Sequence, residues 1–511
     1  MKLKFTLIIF IVLAVISKLF LVGEGLYTFP DEFRYIASQD AFEALRNGDI
    51  AKALSMCYTV DGRPGLVLLG LLPAACQILI ANFFLLPYNS PEIDLILFSY
   101  NYFVYVLILW VLFKIVVRLG FTMENALIAV FLYAVGVNSW LYIRHAFPYD
   151  TALLIILYAI HLLLKNREKI ALFTTLCFSA LMTLAFTVYP GFYLLQFASA
   201  FYFIYLIYKQ KNKIRLCFAA ALPVISIIGL FELGAKYSHK SYFLDAKHLS
   251  GTIIFGDFSD TLIFPLKYLW ICDSFVGAIV FLLFLAGAYY ILVSLFRNNK
   301  LLNLTTDMLV FLSAFCLILF IFMMQGPLLG KMVFYGRIFH QFYPFIVIIA
   351  IIALQQLFIR YPFRYLPNSL MLLAFLVQIY NIVEIKEVSY PRNFNRIVQT
   401  QLKTYKKVAY HCEMKIPGTV LSVPHDCIPY QPSPSKTQVA DTVTTLHLVN
   451  VCYMWLPDHG TTKAPLEISA KILYQRPHFT NYEPYLFEGS TQIQREMYRK
   501  SRYNMTAFET P

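Results

Sequence analysis

Residues 62–84 read GRPGLVLLGLLPAACQILIANFF. At 1.5 Å per residue the stretch is apolar enough and long enough to cross a hydrocarbon core of about 30 Å. Whether it crosses decides on which side of a membrane every later loop falls. A membrane is the right setting, because the 511-residue chain is 59% hydrophobic, 17% aromatic and only 14% charged, with mean hydropathy +0.63. Such a composition belongs to a polytopic membrane protein, not to a soluble one.

Working outward from that stretch, apolar runs mark spanning helices near residues 3–22, 93–117, 122–143, 150–164, 170–188, 190–208, 214–235, 275–296, 308–325, 341–359 and 366–384. The positive-inside rule puts short loops rich in Lys and Arg on the cytoplasmic side. With 64–86 not crossing, that side collects Lys2 and Lys4, Lys114 and Arg118, Lys165 to Lys169, Lys209 to Arg215, Arg297 and Lys300, and Arg360 and Arg364. A crossing there would throw nearly all of them outside. Residues 62–84 therefore read as an interfacial or re-entrant element, interrupted by Pro73 and preceded by the amphipathic stretch DAFEALRNGDIAKAL, 40–54. The expected fold class is all-α and polytopic, with about 11 spans. Its N-terminus is cytoplasmic and its polar tail extracytoplasmic.

The first span, within KLKFTLIIFIVLAVISKLFLVGEG (2–25), lacks a small-x-small cleavage site and reads as an uncleaved anchor. The formal charge of +13 is spent on topology, and no basic stripe or aromatic-basic module points to nucleic acid. The nine cysteines show no zinc spacing. Cys177, Cys217 and Cys316 sit in apolar runs as small hydrophobes, while a disulfide is open to two of Cys412, Cys427 and Cys452. Two domains follow: a membrane domain over 1–385 and a Pro-rich, extracytoplasmic α/β domain over 386–511.

This orientation gathers ionisable groups on one face. Directly after the first span, YTFPDEFRY (27–35) carries Asp31 and Glu32; RHAFPYD (144–150) carries Arg144, His145 and Asp150; GPLLGKMVFYGRIFHQ (326–341) carries Lys331, Arg337 and His340; and Arg63 precedes Pro64. Each group also has a plain reading as solvated loop charge or snorkelling cation. Together they suit one chemistry. A carboxylate, Asp31 or Asp150, takes the proton of an acceptor hydroxyl, and cations such as Arg63, Arg337, His340 and Lys331 hold a leaving phosphate. Arg suits phosphate because its planar fork binds two oxygens.

The succession of one span, FPDEFRY, an amphipathic loop, GRPG before an apolar interfacial helix, and PYD after a later span resembles the GT-C superfamily of membrane glycosyltransferases. The likeness covers roughly 1–385 and is greatest to the branch of protein O-mannosyltransferases and lipid A aminoarabinose transferases. It implies a polyprenyl-phosphate sugar as donor and a lipid, glycan or protein as acceptor, and leaves the sugar open. Asp31 then corresponds to the first-loop catalytic aspartate, Glu32 to its acidic neighbour and Asp150 to the acidic residue of the second outer loop. Arg63 corresponds to the cation that touches the donor phosphate, and Arg337 with His340 to a late phosphate-binding motif. No cofactor is implied. Asp31, Glu32 and Asp150 have the hard oxygens a divalent cation needs, but the basic groups make one unnecessary. The competing readings are a transporter or flippase of a lipid-linked glycan, and an O-antigen ligase or polymerase. A flippase calls for mid-membrane charges and repeated halves; a ligase does not call for an acidic pair after the first span.

Overall fold

A bilayer core offers no water to backbone N–H and C=O groups, so each apolar run must satisfy its own by forming a helix. In the computed structural model of the chain they do. The structure describes residues 2–22, 34–60, 62–86, 91–144, 148–254, 264–296, 304–329, 339–360 and 366–387, together with strands at 407–412, 428–429, 445–451, 471–475 and 504–510. The first helices are α1 (Lys2–Ser17), α2 (Ile36–Arg46), α3 (Ile50–Met56), α4 (Pro64–Phe84), α5 (Pro91–Arg118), α6 (Met123–Val135) and α7 (Val137–Trp140). They are followed by α8 (Tyr149–Lys165), α9 (Leu172–Val188), α10 (Tyr193–Tyr208), α11 (Lys213–Tyr237) and α12 (Tyr242–Ile254). The last are α13 (Phe264–Phe296), α14 (Thr306–Leu329), α15 (Tyr343–Arg360) and α16 (Leu366–Glu387). Among the described residues, 7 helices are long and apolar enough to cross a membrane, and four shorter apolar ones accompany them.

Two of these runs are broken, and the breaks face each other. The run expected over 122–143 stops at Gly136, whose extended backbone (φ −71, ψ 129) separates α6 from α7. A Cβ on Gly136 would meet a Tyr343 ring carbon at 2.7 Å, so only glycine lets α15 approach this closely. In α13 the helix breaks at Ser274 (φ 55, ψ −145). The preceding residue, Asp273, accepts a hydrogen bond at 2.7 Å from the backbone N–H of Val137, which the break in the other helix has freed.

Helix directions can be read from the side-chain contacts between the first helices. Lys4 pairs with Glu124 at 3.8 Å, and Lys18 donates to the Ala134 carbonyl at 2.7 Å. Helices α1 and α6 therefore run parallel, start beside start and end beside end. Such an arrangement requires one net crossing between them, and α5 supplies it. Helix α4 packs antiparallel on only the first part of α5: Gln77 donates to the Ile93 carbonyl at 3.3 Å, and Leu69 and Pro73 line one cavity with Leu97 and Asn101. The remaining length of α5 to Arg118 extends about 18 Å beyond the start of α4 at 1.5 Å per residue. The start of α4 is set by Pro64 at the first helical position, where the missing N–H costs nothing.

The far ends of the helices form a basic rim. Arg167 donates to the Arg118 carbonyl, Lys209 pairs with Asp307 at 2.6 Å, and Lys114, Arg118 and Lys165 all act electrostatically on His161. At the opposite end, α2 and α3 lie over α4 and the end of α11 through a small apolar cluster that includes Ala37, Ala41, Tyr58, Val67 and Ala235. Asp49 caps α3 by accepting from the Lys52 N–H at 2.9 Å. In the C-terminal region β1 (Lys407–Cys412), β2 (Ile428–Pro429), β3 (Thr445–Val451), β4 (Lys471–Gln475) and β5 (Asn504–Thr510) form a 5-stranded sheet of order β2-β1-β3-β5-β4. Strand β1 is parallel to both its neighbours, whereas β5 is antiparallel to β3 and β4. The helical part of the expected α/β domain and the cysteine side chains at 412, 427 and 452 lie outside the described residues.

Candidate active site

Asp150 enters the interior because the chain turns at Pro148 and starts α8 at once. Its carboxylate occupies the first helical turn, where the exposed N–H dipoles favour a negative charge. It is buried, and so is the group that meets it. His340, in the turn before α15, brings Nε2 to 2.8 Å from Asp150 Oδ1. The other ring nitrogen, Nδ1, lies 3.2 Å from Asn138 Oδ1, and the Asn138 amide donates to the Tyr268 hydroxyl. Oδ2 of Asp150 has no hydrogen-bond partner among the described residues.

From this pair an aromatic wall leads to Arg63. The Tyr142 ring lies edge-on to His340 at 4.9 Å and to Tyr149 at 5.1 Å. Tyr149 meets Tyr189 at 4.6 Å, and the Arg63 guanidinium lies over Tyr189, 5.2 Å from the ring centroid. Tyr142, Tyr149 and Tyr189 are all buried, so they act as a scaffold holding charge positions and not as a platform for a sugar ring. Arg63 can reach Tyr189 because α4 begins hard against the end of α9. A Cβ on Gly65 would lie 2.9 Å from the Thr187 carbonyl carbon, which a glycine avoids. Beside the wall is a small cavity of ≈ 30 Å³ lined by Leu66, Leu69, Pro73 and Leu97 and reaching Thr151 and Val188, the sequence neighbours of Asp150 and Tyr189.

The structure therefore brings together Arg63 from the first expected outer loop, Asp150 from the second and His340 from the late segment. His340, expected as a phosphate-binding candidate, is fully buried, with both ring nitrogens within hydrogen-bond distance of side-chain oxygens. Asp31, Glu32, His145, Lys331 and Arg337 lie outside the described residues, as does the Arg144 side chain, whose backbone closes a 3₁₀ turn. Sequence reasoning missed Asn138 and Tyr189; an isolated Asn two residues after Gly136, and an aromatic immediately before Pro190, were the available signals. Cys57 and Tyr58 also crowd this end, but burial pushes the thiol up to about 11 and burial, with help from Cys57 and Glu232, pushes the phenol up to about 12. Neither is ionised near neutrality, and they pack without offering a nucleophile.

No family model and no curated protein sequence matches the chain. Solved structures do. ArnT from Cupriavidus metallidurans bound to undecaprenyl phosphate is similar with TM-score 0.53 and 10% identity, over 98% of this chain and 97% of that one. Its apo state is similar with TM-score 0.50 at the same identity and coverage. An Archaeoglobus fulgidus oligosaccharyltransferase in complex with Zn and sulfate gives TM-score 0.42 and 11% identity over 79% of this chain and 60% of that one. At this identity the likeness to ArnT is one of architecture alone: the chain has the fold seen in that protein.

Proposed function

We propose that the chain transfers a sugar from a polyprenyl-phosphate donor to an acceptor hydroxyl at the extracytoplasmic face of a membrane. The observation that carries this reading is the joint position of Asp150 and Arg63. An acid and a cation from distant parts of the sequence stand on one aromatic wall, at the end of the bundle away from the basic rim. A fold shared with a protein crystallised with undecaprenyl phosphate supports a lipid phosphate as the ligand.

In this reading the chain is a multi-pass protein with about 11 crossings, the basic rim cytoplasmic and residues 386–511 outside, covering the site. The acceptor oxygen gives its proton to Asp31 or Asp150, with Glu32 beside them, and bonds to the anomeric carbon. The bond from that carbon to phosphate breaks on the opposite face, so configuration inverts and polyprenyl phosphate leaves. Arg63, Arg337 and Lys331 neutralise the charge that develops on the departing phosphate. These basic groups do the work a divalent cation would do, and the reaction needs no cofactor.

Purified protein in proteoliposomes, given radiolabelled polyprenyl-phosphate sugar and lipid extract as acceptor, is expected to release polyprenyl phosphate and label an acceptor. Asp31→Asn is expected to abolish turnover while donor still binds. Normal turnover by that variant removes Asp31 from the chemistry, and an inert wild type across pentose and hexose donors removes the reading altogether.

A further inference from the structure

Among the described residues Asp150 is held by one oxygen only, and the residue that holds it is itself held. His340 Nε2 takes Asp150 Oδ1 at 2.8 Å, and Nδ1 faces Asn138 Oδ1 at 3.2 Å. The Asn138 amide nitrogen donates to the Tyr268 hydroxyl, and the amide oxygen faces His340. Both ring nitrogens of His340 thus face side-chain oxygens.

Building on the glycosyl-transfer reading, we propose that His340 is a positioning residue that, anchored by Asn138, grips one oxygen of Asp150, keeps the carboxylate ionised and leaves Oδ2 as the only oxygen offered to the acceptor hydroxyl. Direction matters here. In a hydrolase triad the carboxylate is the buried end and a histidine nitrogen meets the substrate. In this chain both histidine nitrogens are used, and the unpartnered buried atom is the carboxylate Oδ2. The proton of the substrate goes to Asp150, and His340 never leaves its place. The other titratable groups facing the pair among the described residues are phenols: Tyr105 from α5 and Tyr133 from α6 interact electrostatically with Asp150, and Tyr142 lies edge-on to His340. Arg63 stands at the far end of the wall, beyond Tyr149 and Tyr189. His340 is therefore the one basic side chain in direct contact with this carboxylate among the described residues.

Two measurements on the full chain test this. With polyprenyl-phosphate sugar as substrate, His340→Leu is expected to lower kcat about 100-fold while KM for the donor moves less than about threefold, and His340→Gln, whose amide nitrogen can reach Oδ1, is expected to recover to within about tenfold of wild type. Equal losses in the two variants, or a loss confined to KM, overturn the proposal. The second measurement does not depend on activity. Dicyclohexylcarbodiimide adds to a protonated carboxyl in apolar surroundings, so mass spectrometry of the peptide containing Asp150 should show the adduct in His340→Leu and none in wild type. Equal labelling of the two proteins overturns the clamp. A wild type that labels as expected but turns over no lipid-linked sugar sinks the proposed function and leaves the clamp standing.

Discussion

Lys18 buries its ammonium 2.7 Å from the carbonyl oxygen of Ala134, which lies 116 residues further along the chain. A second bond of 2.7 Å goes to the Ala14 carbonyl, and the Trp140 ring lies 5.6 Å away. Asp273, on α13, feels the same charge while it caps the freed Val137 N–H. Lys18 thus ties α1 to α6, and Asp273 ties α13 to α7, at the level of the helix breaks. Lys18→Met strands two buried carbonyl oxygens and is expected to cost about 1–3 kcal/mol. Combining it with Asp273→Asn, which keeps an oxygen for Val137, should cost clearly less than the sum of the two single changes. Thermal unfolding of the four proteins in one detergent checks this; strictly additive losses would show that the charges do not act on each other.

The parallel course of α1 and α6 makes a topological prediction. The Lys4–Glu124 pair that marks their common end is about half exposed on both sides, and such pairs contribute under about 1 kcal/mol. Lys4→Ala should therefore leave stability nearly unchanged, and the value of the pair is as a marker of sidedness. Reporter fusions after residues 88, 118 and 146 are expected to read outside, inside and outside. A cytoplasmic signal at 88 would mean that α4 crosses after all.

Much of this architecture was legible in the residues, and the reason is physical. Lipid permits few solutions, so length and hydropathy alone locate α5, α8, α9, α11, α14 and α15 within a few residues of their observed ends. What hydropathy cannot register is a helix that stays apolar while it breaks. The run around Gly136 read as continuous, and α13 begins earlier than expected, at Phe264, ahead of its break at Ser274, because FPLKYLWICD is mixed in polarity. At the site, Arg63 and Asp150 stood out because charges beside apolar runs are costly and therefore informative. The role of His340 did not, since a histidine in a loop reads alike whether it faces a phosphate or a carboxylate. Only packing against α7 and α8 distinguishes the two.

The neighbour of His340 has a separate task. Gln341 is fully buried; its Oε1 accepts from the Leu195 N–H at 3.0 Å and its Nε2 lies 3.4 Å from the Gly191 carbonyl. It thereby supplies an acceptor to the first turn of α10, whose early N–H groups have none inside the helix. Gln341→Leu is expected to lose about 1–3 kcal/mol of stability, the cost of stranding buried donors and acceptors. It should also lower turnover by disturbing the turn that carries His340. A variant with an unchanged melting temperature would show that water reaches the start of α10.

Arg63 makes the sharpest prediction about binding. Its guanidinium is already oriented by the Tyr189 face at 5.2 Å, so little freedom remains to be lost when a phosphate arrives. Charge-assisted bonds to phosphate are each worth about 1.5–3 kcal/mol, and Arg63→Ala should weaken binding of polyprenyl phosphate by about 10–100-fold. Arg63→Lys should fall between the two, since it keeps the charge but loses the planar stack. The same position can be disturbed without touching the cation. A Cβ at Gly65 would lie 2.9 Å from the Thr187 carbonyl carbon and 3.0 Å from the Val188 nitrogen, and backbone atoms cannot give way as a side chain would. Gly65→Ala should thus shift the start of α4 and raise the donor KM with little change in kcat. Competition binding with unlabelled polyprenyl phosphate, alongside steady-state kinetics, reads both. If Arg63→Ala binds the lipid phosphate as tightly as wild type, the phosphate lies elsewhere and the Gly65 effect must come from packing alone.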